Sequence, residues 1–234
     1  MGISVGRPEL LKTRPCLAMW HMYIAPMHYS FDFDYTLADS SDGAIECANY
    51  ALQSLGLPIQ SSPAIKATIG LSLDRTFEEL SGSQSRDQSA DFKRYFLERA
   101  DKVMLEHIHF LRCTGHVLES LKSEQHYISI VSTKFAIRIE HALQRDGLRG
   151  FVDAVIGGDD VKRNKPDPEG LLAAIEKSGL PRESTVYVGD SETDGECATR
   201  ARVAFVGVLS GSTSRDRLAR WSPRDIYSDI SGLI

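Results

Sequence analysis

The sequence lacks any C-x-x-C pair: its four cysteines, Cys16, Cys47, Cys113 and Cys197, are scattered along 234 residues. That excludes a cysteine-built zinc site or a disulfide scaffold and suits free thiols in a reducing compartment, with the cytoplasm as the default. A basic excess is missing too. The net charge of −5 provides no electrostatic footprint for nucleic acid. An acidic protein that handles anionic substrates must gather positive charge locally, from a lysine, a metal ion or a helix N-terminus. There is no long apolar run. The uncharged stretch from Pro15 to Phe31 contains His21 and Pro26 and is too short and too polar to span a bilayer. No internal repeat and no low-complexity tract interrupts the chain. His107, His109 and His116 lie near one another, but an i, i+2 spacing does not share a helix face, so they read as packed or surface histidines.

What is present is an ordinary globular composition, 42% hydrophobic and 25% charged, long enough for one α/β domain with a smaller insert. Residues 1–27 show no βα periodicity and read as an extension outside the catalytic unit, with Met27 a candidate alternative start. From Tyr29 onward, short apolar runs alternate with helical patterns, which predicts a doubly wound parallel sheet. Strands are expected to end at Asp32 and to cover Tyr127–Val131, Phe151–Ile156, Thr185–Val188 and Val203–Val208. A helix is expected to start with Asp167 as N-cap and Pro168 at its first position, and to stop at Gly179. Between the first two strands, Ile45, Ala48, Leu52 and Leu55 stripe one helix and Phe92, Tyr95, Phe96 and Val103 another. Leu73, Phe77 and Leu80 mark a short amphipathic turn between them. The expected division is a core of residues 28–39 and 112–234 and an all-helical insert of residues 40–111.

The strand ends carry the chemistry. Phe31-Asp32-Phe33-Asp34-Tyr35-Thr36-Leu37 places two carboxylates two residues apart, which in extended chain point the same way and would face one pocket. Ser132 and Thr133 follow the second strand, Lys165 follows the third, and Gly189-Asp190-Ser191-Glu192-Thr193-Asp194 follows the fourth. In a parallel sheet all of these open onto one edge. Four carboxylates around a dianionic substrate would repel it without a hard cation, and Mg²⁺ with oxygen ligands suits that need. The lysine, the hydroxyls and the N–H groups at the helix start after Thr133 can bind the remaining phosphoryl oxygens. The inventory fits phosphoryl transfer through a covalent carboxyl phosphate, where positioning and charge neutralisation supply the rate.

In these four motifs the chain resembles the haloacid dehalogenase superfamily, in its phosphoglycolate phosphatase-like branch with a helical cap, over about residues 28–234. The resemblance implies a Rossmann-like core and an aspartyl-phosphate intermediate. Asp32 would be the nucleophile and Asp34 the acid and then the base. Ser132, with Thr133 beside it, would bind a phosphoryl oxygen, and Lys165 would neutralise nucleophile and phosphoryl group. Asp190 would complete a Mg²⁺ shell with the Asp32 carboxylate and the Asp34 carbonyl, and Asp194 would sit on the metal's waters or on Lys165. Gly70 and Leu71, within Ile69–Leu73, would belong to the substrate-specificity loop of the cap. Arg75 and Lys66 in the cap read as solvated charges.

Four positions depart from the family pattern. Ser30 stands where a buried aliphatic is usual, Tyr35 and Arg202 stand where glycine is, and Thr114 stands where a proline precedes Gly115. The expected activity is hydrolysis of a small-molecule phosphate ester by a monomer or homodimer, with no nucleic-acid or membrane partner. A phosphomutase of the β-phosphoglucomutase type and a non-catalytic regulatory relative are the alternatives. A dehalogenase is disfavoured, because Asp34 supplies a group that dehalogenation does without.

Overall fold

The computed structural model describes residues 25–234; most of the expected N-terminal extension, residues 1–24, lies outside the described residues. Met27 already belongs to the core, because its carbonyl accepts from Tyr127 N at 2.9 Å and its N–H donates to His126 Nδ1 at 3.1 Å.

Strand β1 (His28–Phe31) lies at the centre of a six-stranded parallel sheet. On one side it pairs with β4 (Tyr127–Val131), which pairs with β5 (Ala154–Ile156). On the other it pairs with β6 (Thr185–Gly189), followed by β7 (Ala204–Val208) and β8 (Asp225–Tyr227). The crossovers are α5 (Thr114–Ser123), α6 (Ala136–Arg145), α7 (Glu169–Ser178), α8 (Glu192–Ala201) and α9 (Arg215–Ala219). The order β5-β4-β1-β6-β7-β8 reverses direction at β1, which opens a crevice at its carboxyl end. Strand alternation builds two cores. Phe31, Ile130, Val186 and Val188 face one, while Val131, Tyr187 and Phe205 face the other.

The insert leaves and rejoins the core through a two-residue antiparallel ribbon, β2 (Ala38–Asp39) against β3 (His109–Phe110). Between them lie α1 (Ser41–Ser54), α2 (Ser62–Lys66), α3 (Leu73–Ser81) and α4 (Arg86–Val103). Leu52, Ile65, Phe77 and Phe92 form their separate core. Three of these helices start the same way: the hydroxyls of Ser61, Ser72 and Ser85 accept from the N–H three residues on. Each such cap stabilises its helix by about 1 kcal/mol. Among the described residues no helix is long and apolar enough to cross a membrane.

Some expectations are corrected. The segment Leu73–Ser81 is a full helix rather than one turn. The third strand begins only at Ala154, because Arg149–Phe151 forms a 3-10 turn. Helix α7 starts one residue late: Pro168 is its N-cap, and Asp167 Oδ1 accepts from Glu169 N at 3.0 Å.

The four departures each have a local account. Tyr35 and Arg202 adopt φ of 61° and 58°, so both keep the left-handed conformation for which glycine is the usual choice. Thr114 donates its hydroxyl to the Leu37 carbonyl at 2.7 Å, tying the start of α5 to the chain entering the ribbon. Ser30 belongs to a buried polar column: Ser129 Oγ donates to Ser30 Oγ at 2.9 Å, and His28 bridges Ser129 at 2.8 Å and Thr185 at 3.2 Å. Polar groups with partners on both neighbouring strands penalise a register slip, which would leave them buried and unpaired.

Burial pushes the His28 pKa down from 6.5 to about 4, with Asp153 pulling weakly the other way. The native state therefore refuses a proton that the unfolded chain accepts. Stability from this residue is complete above pH 6.5 and is lost as pH falls towards 4, by at most about 3 kcal/mol. Urea unfolding of wild type and His28→Gln at pH 7.5 and 5 checks this: wild type should lose more stability on acidification. Equal losses in the two proteins would show that His28 is not the group responsible.

Candidate active site

The carboxyl ends of β1, β4 and β6 meet because their register is level, with Phe31 opposite both Ile130 and Val188. Asp32 follows β1, held by its N–H to Val188 O at 2.8 Å, and Asp190 follows β6. Asp194 sits in the first turn of α8, where it and Ser191 cap the helix reciprocally. Carboxylate oxygens of Asp32, Asp190 and Asp194 all lie within 4.8 Å of one another, and all three residues are buried.

Lys165 reaches this cluster from the loop after β5. Its Nζ donates to Asp194 Oδ1 at 2.7 Å and to the Tyr187 hydroxyl at 3.1 Å. The Tyr187 hydroxyl in turn donates to Val131 O at 2.9 Å. Lys165 Nζ also forms an ion pair with Asp32 Oδ1 at 2.7 Å. Asp194 is fully engaged, since its Oδ2 accepts from Ser191 N at 3.1 Å and Ser191 Oγ at 2.5 Å. Asp190 Oδ1 accepts a long contact from Thr36 Oγ1 at 3.5 Å.

The electrostatics follow. Burial pushes Asp32 up to about 7, against the pull of Lys165 and with the repulsion of Asp194. Burial, then Asp194 and Asp32, push Asp190 well above the carboxylate range. Burial alone would lower Lys165, but Asp194 and Asp32 outweigh it and hold its pKa above the ordinary lysine value. One lysine faces three buried carboxylates, so two negative charges stay uncompensated when all are ionised. Three buried carboxylates that can converge on one point, and this charge deficit, fit a small, hard, oxygen-seeking cation.

Asp34 is placed differently from the expectation. β1 ends at Phe31 and the chain turns, with Leu37 and Ala38 donating to Phe33 O, so Asp34 is oriented by a turn rather than by strand alternation. Its carboxylate does not join the cluster. Oδ1 accepts from Ser40 Oγ at 2.5 Å, and Oδ2 lies 3.2 Å from Lys134 Nζ. Asp34 instead borders a cavity of about 110 Å³ between core and helical insert, together with Gly70, Leu71, Thr133, Met104 and Lys134. Thr133 Oγ1 donates to Gly70 O at 3.3 Å across the gap, so core and insert are in contact. Ser132 is buried one residue past β4, and its Oγ accepts from Lys134 N at 3.3 Å. Arg75 is exposed and paired with Glu78 at 3.1 Å, and borders no part of this cavity.

Lys134, Ser40 and Tyr187 belong to the site although sequence reasoning does not single them out. Tyr187 reads as one more apolar position of a buried strand. Lys134 had a usable signal, being the first cation after the Ser132-Thr133 pair.

Gly211 lies against Asp190 so closely that a Cβ there would come within 1.8 Å of Asp190 Oδ2. Gly211→Ala must displace that carboxylate. It should raise the Mg²⁺ concentration needed for half-maximal activity by about tenfold or more, the usual range for a misoriented ligand. A Mg²⁺ titration checks this, and an unchanged midpoint would show that Asp190 does not set the metal affinity.

Comparison with known proteins places this geometry. The sequence model of the haloacid dehalogenase-like hydrolase family matches residues 29–208. The Dickeya dadantii (strain 3937) protein named "Probable phosphatase IndB" is 31% identical over 209 residues, covering 86% of this chain and 90% of that one. Pyrophosphatase PpaX of Listeria monocytogenes serotype 4a (strain HCC23) is 30% identical over 206 residues, covering 87% and 93%. A crystal structure of a haloacid dehalogenase-like hydrolase from Bacteroides fragilis superposes with a TM-score of 0.87 at 37% identity, covering 90% of this chain and all of that one. The chain therefore belongs to the haloacid dehalogenase superfamily of hydrolases.

Proposed function

We propose that this hydrolase is a Mg²⁺-dependent phosphatase of small phosphorylated metabolites, of the phosphoglycolate or sugar-phosphate kind, acting through an aspartyl phosphate on Asp32. The observation that carries it is the buried cluster of Asp32, Asp190 and Asp194 gathered around the ammonium of Lys165, beside a cavity that borders Asp34. Asp32, Asp190 and the Asp34 carbonyl would hold the cation. When bound, the cation supplies the positive charge that lets a dianionic ester approach three carboxylates.

In the first half-reaction an Asp32 oxygen attacks phosphorus and the ester oxygen leaves, taking a proton from Asp34. In the second, Asp34 accepts a proton from water, the water oxygen attacks phosphorus, and phosphate departs from Asp32. Lys165 stays cationic throughout, because two buried carboxylates hold its proton, and it offsets charge on Asp32 and on the phosphoryl oxygens. Ser132 and the N–H groups at the start of α6 would bind a phosphoryl oxygen, with Thr133 beside them. Asp194 fixes Lys165 from behind. The helices of residues 40–111 act as the cap, and Gly70 and Leu71 border the space left for the leaving group. A cavity of about 110 Å³ suits a small leaving group. The phosphatase and pyrophosphatase names of the relatives agree with phosphoryl transfer to water and disagree with each other on leaving group.

Asp32→Asn should fold normally and lose activity on phosphate esters by on the order of 10³-fold or more, since an amide cannot be the nucleophile. Phosphate release by the purified variant checks it, and near-normal turnover would rule out the covalent route. Replacing Leu71 or Leu73 by Ala should reorder kcat/KM across a panel of small phosphate esters while leaving the Mg²⁺ midpoint unchanged. A shifted metal midpoint with an unchanged substrate ranking would remove the cap loop from substrate selection.

A further inference from the structure

We propose that Lys134 is a positioning residue that orients the Asp34 carboxylate for proton transfer and ties that orientation to closure of the cap. The proposal rests on the assignment of Asp34 as acid and base made above.

The backbone of Lys134 is fixed by the core. Its carbonyl accepts from Gly158 N at 3.0 Å, and its N–H donates to Ser132 Oγ at 3.3 Å. Gly158 packs so tightly on this turn that a Cβ there would lie 2.3 Å from Thr133 O. From that anchored position the side chain is nine-tenths buried and reaches three groups. Nζ lies 3.2 Å from Asp34 Oδ2, donates to Ser40 Oγ at 3.0 Å, and touches Met104 Sδ at 3.9 Å. Ser40 donates to the other Asp34 oxygen at 2.5 Å, so Asp34, Ser40 and Lys134 close a triangle.

Two of those partners are the roots of the cap. Ser40 is the N-cap of α1, and Met104 is the C-cap of α4. The ammonium thus joins a core loop, a carboxylate that borders the cavity and both ends of the inserted helices. A buried carboxylate is costly without a cation, and one held at both oxygens keeps a single rotamer. If the cap swings away, Ser40 and Met104 move with it, and Asp34 loses its fixed direction. Proton transfer is then efficient only in the closed state, where bulk water is excluded. The same face of α6 adds further ties: Arg138 pairs with Asp101 of α4 at 2.6 Å, and Arg145 donates to Ile108 O at 2.6 Å, just past the end of α4. Neither touches Asp34, which separates their role from that of Lys134.

The test uses leaving-group dependence. An alkyl phosphate needs a proton on its departing oxygen, whereas p-nitrophenyl phosphate expels a stable phenolate without one. In Lys134→Met, with the fold checked by circular dichroism, the ratio of kcat/KM on an alkyl phosphate to kcat/KM on p-nitrophenyl phosphate, which reports only the steps up to departure of the leaving group, should fall by about tenfold or more. KM should change less than kcat. Lys134→Gln, which keeps a donor for Ser40 but no charge, should show the same direction and serves if the methionine variant does not fold. Asp34→Asn should reproduce the signature, and adding Lys134→Met to it should lower the ratio no further. Equal losses on both ester classes in the Lys134 variants, while Asp34→Asn discriminates between them, would overturn the role of Lys134 alone. Equal losses in Asp34→Asn would overturn the acid assignment of Asp34, and the role of Lys134 with it.

Discussion

The ammonium of Lys165 is the contact on which this site depends. It lies at hydrogen-bonding distance from two carboxylates and a phenol, all buried, and no other cation approaches Asp32 or Asp194 among the described ion pairs. Without it, the three acids after β1 and β6 would meet in a dry interior with nothing to oppose their repulsion, at several kcal/mol for each uncompensated charge. The rest of the fold serves that meeting. Level register between β1, β4 and β6 brings the acids together, and Tyr187 holds the lysine by a hydroxyl anchored on Val131. The capping box of α8 fixes Asp194 on its far side. Breaking this pair would cost more than making it gained, as for any buried ion pair.

The two lysines divide the site. Lys165 belongs to the acidic cluster and is buried in the core. Lys134 belongs to the cavity and touches both roots of the cap. Asp32 and Asp34, only two residues apart, are therefore held by different cations and answer to different parts of the molecule. The turn that separates them keeps Tyr35 in a left-handed conformation, a strain of roughly 1–2 kcal/mol for a residue with a side chain. Such strain persists only where the surroundings fix it, and here Tyr35 N donates to Ala38 O at 2.6 Å while Ser210 holds the Tyr35 carbonyl.

The alternating architecture was legible because each core strand is a short apolar run ended by a polar or glycine-containing loop, and because chemistry on a parallel sheet collects at strand ends. That rule alone picked out Asp32, Lys165, Asp190 and Asp194, which the fold brings together. What stayed hidden depends on the third dimension. Tyr187 looks like core, because only its hydroxyl oxygen betrays a polar task. Ser40 looks like an ordinary helix start. β8 escaped notice because Asp225–Tyr227 is three residues long, at the edge of the sheet and half polar, which leaves no period to detect. Asp34 stands beyond Phe31, where the chain has already begun to turn, so strand alternation does not set the direction of its side chain.

The central place of β1 has a kinetic side. His28 bonds to Thr185, 157 residues later, and to Ser129, 101 residues later. The strand that anchors the sheet is thus made before the others and waits for β6 to complete its pairing, a slow, high-contact-order assembly. Until Thr185 emerges, one edge of His28–Phe31 has no permanent mate, and such an edge can capture a similar strand from another nascent chain. Two polar side chains in four residues, with aspartates at once beyond them, make that segment a poor template for self-pairing. The column that later fixes the register is, before folding is complete, a safeguard against aggregation during synthesis.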